Sequence, residues 1–83
     1  MYNRRIWLNK EDSPSTGSLV CFDGNTTWHG ENIRNTFLQV SDCNWSVRLH
    51  KTEDDDTANF IDKMKLLRDE VDKFHTWKKI SNI

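Results

Sequence analysis

The stretch WSVRLHKTEDDDTANFIDKMKLLRDEVDKF, residues 45–74, decides how the chain folds, because its apolar period changes part-way along. In Trp45-Ser46-Val47-Arg48-Leu49-His50, apolar and polar residues alternate strictly, as a half-buried β-strand requires. Trp45, Val47 and Leu49 are expected inward, with Arg48 and His50 outward. After Lys51 the apolar residues Phe60, Met64, Leu67, Val71 and Phe74 recur at spacings of four, three, four and three. That spacing lays them on one stripe of an α-helix, which Ile61 widens. Several N-cap candidates lie between Thr52 and Thr57, and Glu53, Asp54, Asp55 and Asp56 sit where the helix dipole favours negative charge. Lys78 and Lys79 sit at the opposite end, where it favours positive charge, and Asp69 and Lys73 are spaced as an i,i+4 surface pair. The helix is expected over about residues 55–79, with Leu67 in its core stripe. Leu67→Ala is then a large-to-small core change costing about 2–5 kcal/mol.

Upstream, the same reading predicts strands. Residues 2–8 alternate so that Ile6 and Leu8 point inward and Trp7 outward. Asn9 to Thr16 is polar, contains Pro14 and reads as a loop. Residues 18–23 form a nearly continuous apolar run, as expected of a central strand. Asp23-Gly24 is a favourable turn pair, so Asn25 to Asn32 is expected to be a long hairpin connection, with a short strand around Trp28 at most. Residues 33–41 read as a third strand, with Ile33 and Phe37 on one side and Leu38 and Val40 on the other. The fold class is therefore α+β: a small antiparallel sheet of three or four strands in meander order, packed against one C-terminal amphipathic helix. The sheet occupies about residues 2–51 of a single domain spanning 1–83.

Composition narrows the function. Twelve basic and thirteen acidic side chains leave a formal charge of −1. A protein that coats nucleic acid normally carries a clear positive excess. No apolar run approaches the length that spans a bilayer, and the two arginines near the start have no apolar run behind them, so a cytosolic protein without a membrane role is expected. Cys21 and Cys43 form no paired motif and are expected to be buried free thiols in a reducing compartment. Four Trp, four Phe and one Tyr supply the apolar area that keeps so polar a chain folded.

No motif specifies a reaction. The acidic run lacks the glycine of a calcium loop, and helix capping accounts for it. The three histidines and two cysteines show no zinc spacing. A Cys43–His50 thiolate–imidazole couple across a hairpin lacks an orienting acid, and the three glycines are too scattered to cradle phosphate. No enzyme activity, cofactor or metal is expected. The chemistry that remains lies in Tyr2, Arg4, Arg5, Trp7, Arg34, Trp45, Arg48 and His50 on the expected strands. Trp, Tyr and Arg are the residues of protein–protein hot spots, and an arginine-and-aromatic sheet face also stacks bases and holds phosphates. A third account has Trp7 covering the edge of a small core while the arginines solvate the face. Phe74, Trp77 and Ile80 at i,i+3 spacing either finish the core stripe, the favoured account, or form an exposed docking end beside the lysines.

The leading expectation is a non-enzymatic binding module that engages, and inhibits, a protein partner through Arg5, Trp7, Trp28, Arg48 and His50. The alternatives are a single-strand nucleic-acid binder using Arg4, Arg5 and Arg48, and a homodimer joined through the apolar second face of the strand Ile33–Val40. Short, Trp-rich, charge-balanced chains without a catalytic signature suit the small accessory proteins of phages and mobile elements, many of which occupy a surface on a host protein.

Overall fold

The computed structural model describes residues 1–14, 16–51 and 56–81. They fall into two compact units, Met1–Lys51 and Thr52–Ile83. The first holds strands β1 (Tyr2–Trp7), β2 (Gly17–Trp28), β3 (Glu31–Asp42) and β4 (Trp45–His50); the second holds helix α1 (Thr57–Ser81). The strands form one antiparallel sheet in the order β1-β2-β3-β4, so β1 and β4 are its edges. The expected four-strand meander and C-terminal helix are both present.

The second strand departs most from expectation. β2 does not turn at Asp23-Gly24 but continues to Trp28, pairing with β3 along its whole length from Gly17↔Asp42 to Trp28↔Glu31. Gly24 lies inside the strand opposite Asn35. A Cβ there would come within 2.9 Å of the Met1 side chain, so the missing side chain admits a close neighbour instead of making a turn. The reversal falls at His29-Gly30, where both residues have positive φ (49° and 80°). Positive φ at both central residues is the pattern of the type I′ hairpin, whose twist matches the flanking strands. At the β3–β4 reversal, Cys43 has φ 52°, and Asp42 pairs with Trp45 across it.

Register assigns the side chains to two faces. One carries the rows Ile6–Leu19–Val40–Val47 and Arg4–Cys21–Leu38–Leu49. The other carries Trp7–Ser18–Ser41–Ser46, Arg5–Val20–Gln39–Arg48 and Asn3–Phe22–Phe37–His50. The parity expected for β1, β3 and β4 is therefore met, but inward parity does not bring burial: Trp45 is 83% exposed and Val47 65%. Cys21 is half-buried and Cys43 exposed, and both are free, so the expectation of two buried thiols is corrected.

In α1 the Asp56 carboxylate accepts a hydrogen bond from the Asn59 amide at 2.7 Å, which makes Asp56 the N-cap. Lys78 and Lys79 occupy the last turn as expected, whereas residues 53–55 lie outside the described residues. Lys73 pairs with Glu70 at 3.0 Å rather than with Asp69, which Arg68 engages at 3.1 Å. The i,i+3 partner and the chain neighbour are nearer than the i,i+4 one expected. Phe60 is the buried member of the stripe, at 4% exposure. Val71, Phe74, Trp77 and Ile80 are all exposed and Leu67 stands at 36%, so the core position expected for Leu67 and the core finish expected for Phe74, Trp77 and Ile80 are both corrected.

Candidate aromatic and guanidinium interface

The arginine-bearing face of the sheet owes its pattern to strand parity. Alternation along β1 turns Arg5 and Trp7 to the same side, and alternation along β4 does the same for Arg48 and His50. β2 and β3, paired between those edges, supply Phe22 and Phe37 to that side. Phe22 and Phe37 are direct cross-strand partners, and their rings stack at 5.4 Å between centroids with 21° between planes. His50, opposite Phe37 on the far strand, extends the row with its ring 6.2 Å from Phe37.

One row along, Arg48 folds over the ring of Phe37, its guanidinium carbon 3.9 Å from the centroid. Arg48 Nε also donates to Gln39 Oε1 at 2.7 Å, and Gln39 Nε2 donates to Ser41 Oγ at 3.3 Å. The guanidinium is thus held from two directions, by a ring beneath it and an amide beside it, which lowers the entropy cost of presenting it to a partner. At the other edge, Arg5 lies 5.9 Å from the centroid of the Trp7 ring. Trp7 is 64% exposed, and Ser18 beside it is buried.

Within these three rows both charges are guanidinium groups, with His50 beside them, and none of the rows carries a carboxylate. The strand carboxylates of this region, Asp23 and Asp42, turn to the other side. Asp23 lies on the opposite face, where Arg34 engages it through Nε at 2.8 Å and Nη2 at 2.6 Å while Thr36 Oγ1 donates at 2.7 Å. The Arg34 guanidinium, and after it the Thr36 hydroxyl, hold the Asp23 carboxyl well below the usual carboxylate range, and Asp23 in turn raises Arg34.

No family model, curated protein or solved structure matches this chain.

Of the five residues singled out from the sequence, the fold gathers four, Arg5, Trp7, Arg48 and His50, in these three rows. Trp28 closes β2 opposite Glu31, on the two-stranded end of the ribbon, six residues beyond Phe22. At about 3.3 Å per residue, that places its backbone roughly 20 Å away from the Phe22 row. Arg4 and Arg34 belong to the opposite face, because their parity or cross-strand register turns them there. Phe22 and Phe37 were missed as site residues. Their signal was present in the apolar runs of β2 and β3, but a two-sided run does not say which member reaches the functional face. The Cys43–His50 couple does not form: Cys43 is in the turn and His50 at the far end of β4, roughly 20 Å along the strand. Among the described residues no three His, Cys, Asp or Glu side chains come together as a metal site, and no helix is long and apolar enough to cross a membrane.

Proposed function

We propose that this chain is a non-enzymatic binding module that engages a protein partner through the Arg5–Trp7–Phe37–Arg48–His50 face of its sheet. It acts by occluding the surface that it covers. The observation that carries the reading is the Arg48 guanidinium, seated at 3.9 Å over Phe37 and tied to Gln39, on the same face as an exposed Trp7 flanked by Arg5. Preordered arginine and exposed tryptophan are the side chains that dominate interface energetics, because each buries a large amphipathic area for little rotamer entropy. The three rows measure about 14 Å across the strands and about 13 Å along them. That is the size of a hot-spot centre, so the surrounding rim of β1 and β4 completes the contact.

Single-stranded nucleic acid is the second reading, favoured by the absence of a carboxylate from the three rows. Magnitude sets it second. Two guanidinium groups neutralise about two phosphates, for a salt slope near −1.4, whereas proteins whose affinity rests on phosphate contacts make about six to ten. The ring of Phe37, between Phe22 and Arg48, also offers little free face to a base.

The test compares wild type with a Trp7→Ala/Arg48→Ala double variant as bait in the native cell lysate, alongside oligonucleotide titrations in low salt. A protein retained by wild type and lost by the folded double variant supports the proposal. Retention of the same proteins by both baits refutes it. Oligonucleotide binding abolished by the double variant transfers the face to the second reading.

A further inference from the structure

We infer that β1 is a docking edge for an extended, acidic segment of a protein partner, which adds to the sheet as a further strand. This edge contact is distinct from the sheet face proposed above and depends only on the register within the sheet. β1 stands first in the order β1-β2-β3-β4, so β2 pairs with one side of it. A single hydrogen bond fixes which backbone groups lie on the other side. Leu8 N donates to Gly17 O at 2.8 Å, in the pair that follows Trp7↔Ser18. Antiparallel pairs alternate between bonded and non-bonded, so Ile6, Arg4 and Tyr2 turn their N–H and C=O groups toward β2. Asn3, Arg5 and Trp7 turn theirs away from the sheet, a row of donors and acceptors that an added strand satisfies.

Charge decides what kind of strand fits. β1 carries Arg4 and Arg5 and no carboxylate. Among the described residues neither guanidinium forms an ion pair, and directly across the ladder stand Cys21 and Val20. Alternation sends Arg4 and Arg5 to opposite faces, so a strand laid antiparallel along β1 meets one guanidinium on each. The complementary sequence is two apolar residues, opposite Trp7 and Ile6, followed by two acidic residues, opposite Arg5 and Arg4. A second copy of this chain does not offer it. In the two antiparallel registers of fullest overlap between β1 and another β1, Arg5 meets Arg5 or Arg4 meets Arg4. The β4 edge of another copy is no better. Lys51 N donates to Thr36 O at 3.0 Å, so Ser46, Arg48 and His50 are the residues whose backbone turns outward there. Aligning the two edges then sets Arg48 opposite Arg5. Like charges directly opposite destabilise a ladder, which disfavours these pairings and leaves the edge to an acidic strand.

The probe is the capped peptide Thr-Val-Val-Glu-Glu-Thr-Thr, titrated to about 1 mM into the full chain at low salt while amide hydrogen exchange is followed by NMR. Exchange is expected to slow at Asn3, Arg5 and Trp7 and to stay unchanged at Ser46, Arg48 and His50. Replacing both Glu of the peptide by Lys, or Arg4→Glu/Arg5→Glu in the chain, is expected to weaken binding about tenfold or more. Should the double variant unfold, the Lys peptide and the exchange pattern of wild type decide. Absence of binding, or equal binding of the Lys peptide, overturns the inference. Protection of the three amides that rises with protein concentration in the absence of peptide also overturns it, by giving the edge to a second copy. Binding that Arg48→Ala weakens, without protection of those amides, assigns the peptide to the sheet face and overturns the edge while leaving the face proposal standing.

Discussion

Phe37→Ala tests the organisation of the sheet face most directly. Phe37 lies half-buried near the middle of the sheet, and its ring has three neighbours: Phe22 at 5.4 Å, His50 at 6.2 Å and the Arg48 guanidinium at 3.9 Å. A fully buried Phe→Ala change costs about 3–5 kcal/mol, so the part of the ring that this fold covers accounts for about 2–4. Within that figure the Phe22 pair contributes about 0.5–1.5 kcal/mol and an exposed cation–π contact about 0.5–1. Against a total stability of about 4–12 kcal/mol for a chain of this length, the loss is large. Urea unfolding followed by tryptophan fluorescence reads it out, and combining Phe37→Ala with Arg48→Ala in a double-mutant cycle isolates the guanidinium–ring coupling. The expected coupling is about 0.5–1 kcal/mol. A total loss below about 1 kcal/mol, or no coupling between the two sites, would show that the ring does not organise this face.

Trp7→Ala is expected to lower stability by less than about 1 kcal/mol, since most of that ring is already in water, while weakening partner binding by more than tenfold; equal losses in thermal melts and in binding titrations would move Trp7 to a structural role. Gly30→Ala should cost about 1–2 kcal/mol in urea unfolding even though nothing lies within 4 Å of the added methyl, because φ of 80° is unfavourable to any residue bearing a Cβ; an unchanged midpoint would contradict the type I′ turn. Leu67→Ala, at a position 36% exposed, should cost less than about 2 kcal/mol in urea unfolding; a loss of about 2–5 kcal/mol would return Leu67 to a core position. For Asp23→Asn the sign follows from the lowered folded-state pKa: the stabilising advantage of wild type is fully present above the unfolded carboxylate pKa near 4 and fades as pH falls through the folded value. Paired pH–stability curves that diverge in acid rather than converge would contradict the Arg34 contact.

Much of this fold could be read in the residues because adjacent signals agreed. β4 alternates strictly between Trp45 and His50, and the strand ends at those two residues. The helical spacing from Phe60 to Phe74 lies wholly within Thr57–Ser81. Gly24 misled because a glycine after aspartate has two physical uses, positive φ or room for a neighbour, and only the fold reveals that Met1 occupies the space. The true turn at His29-Gly30 was obscured because Asp23-Gly24 is one of the leading pairs for a two-residue hairpin turn and His-Gly is not. Period 2 correctly grouped Arg5 with Trp7 and Arg48 with His50, yet parity alone did not show that β1 and β4 are opposite edges of one face. That required the order β1-β2-β3-β4, which places Phe22 and Phe37 between them.

Parity predicts facing, and burial depends on what covers the face; the two parted company here. The rows containing Val40 and Val47 are apolar on schedule, yet both residues remain exposed, as do Val71 and Phe74 on the helix. A chain of this size covers only about 60–65% of its unfolded surface even when compactly folded, so it has little margin for leaving such groups in water. Each exposed apolar residue forgoes about 25 cal/mol for every Å² left uncovered, a deficit that association can recover without any change in the strands or helix. Whether stability depends on protein concentration shows where that coverage comes from. A midpoint of thermal unfolding that rises with protein concentration by several degrees per tenfold would place the missing coverage between chains, whereas a midpoint independent of concentration would place it within one.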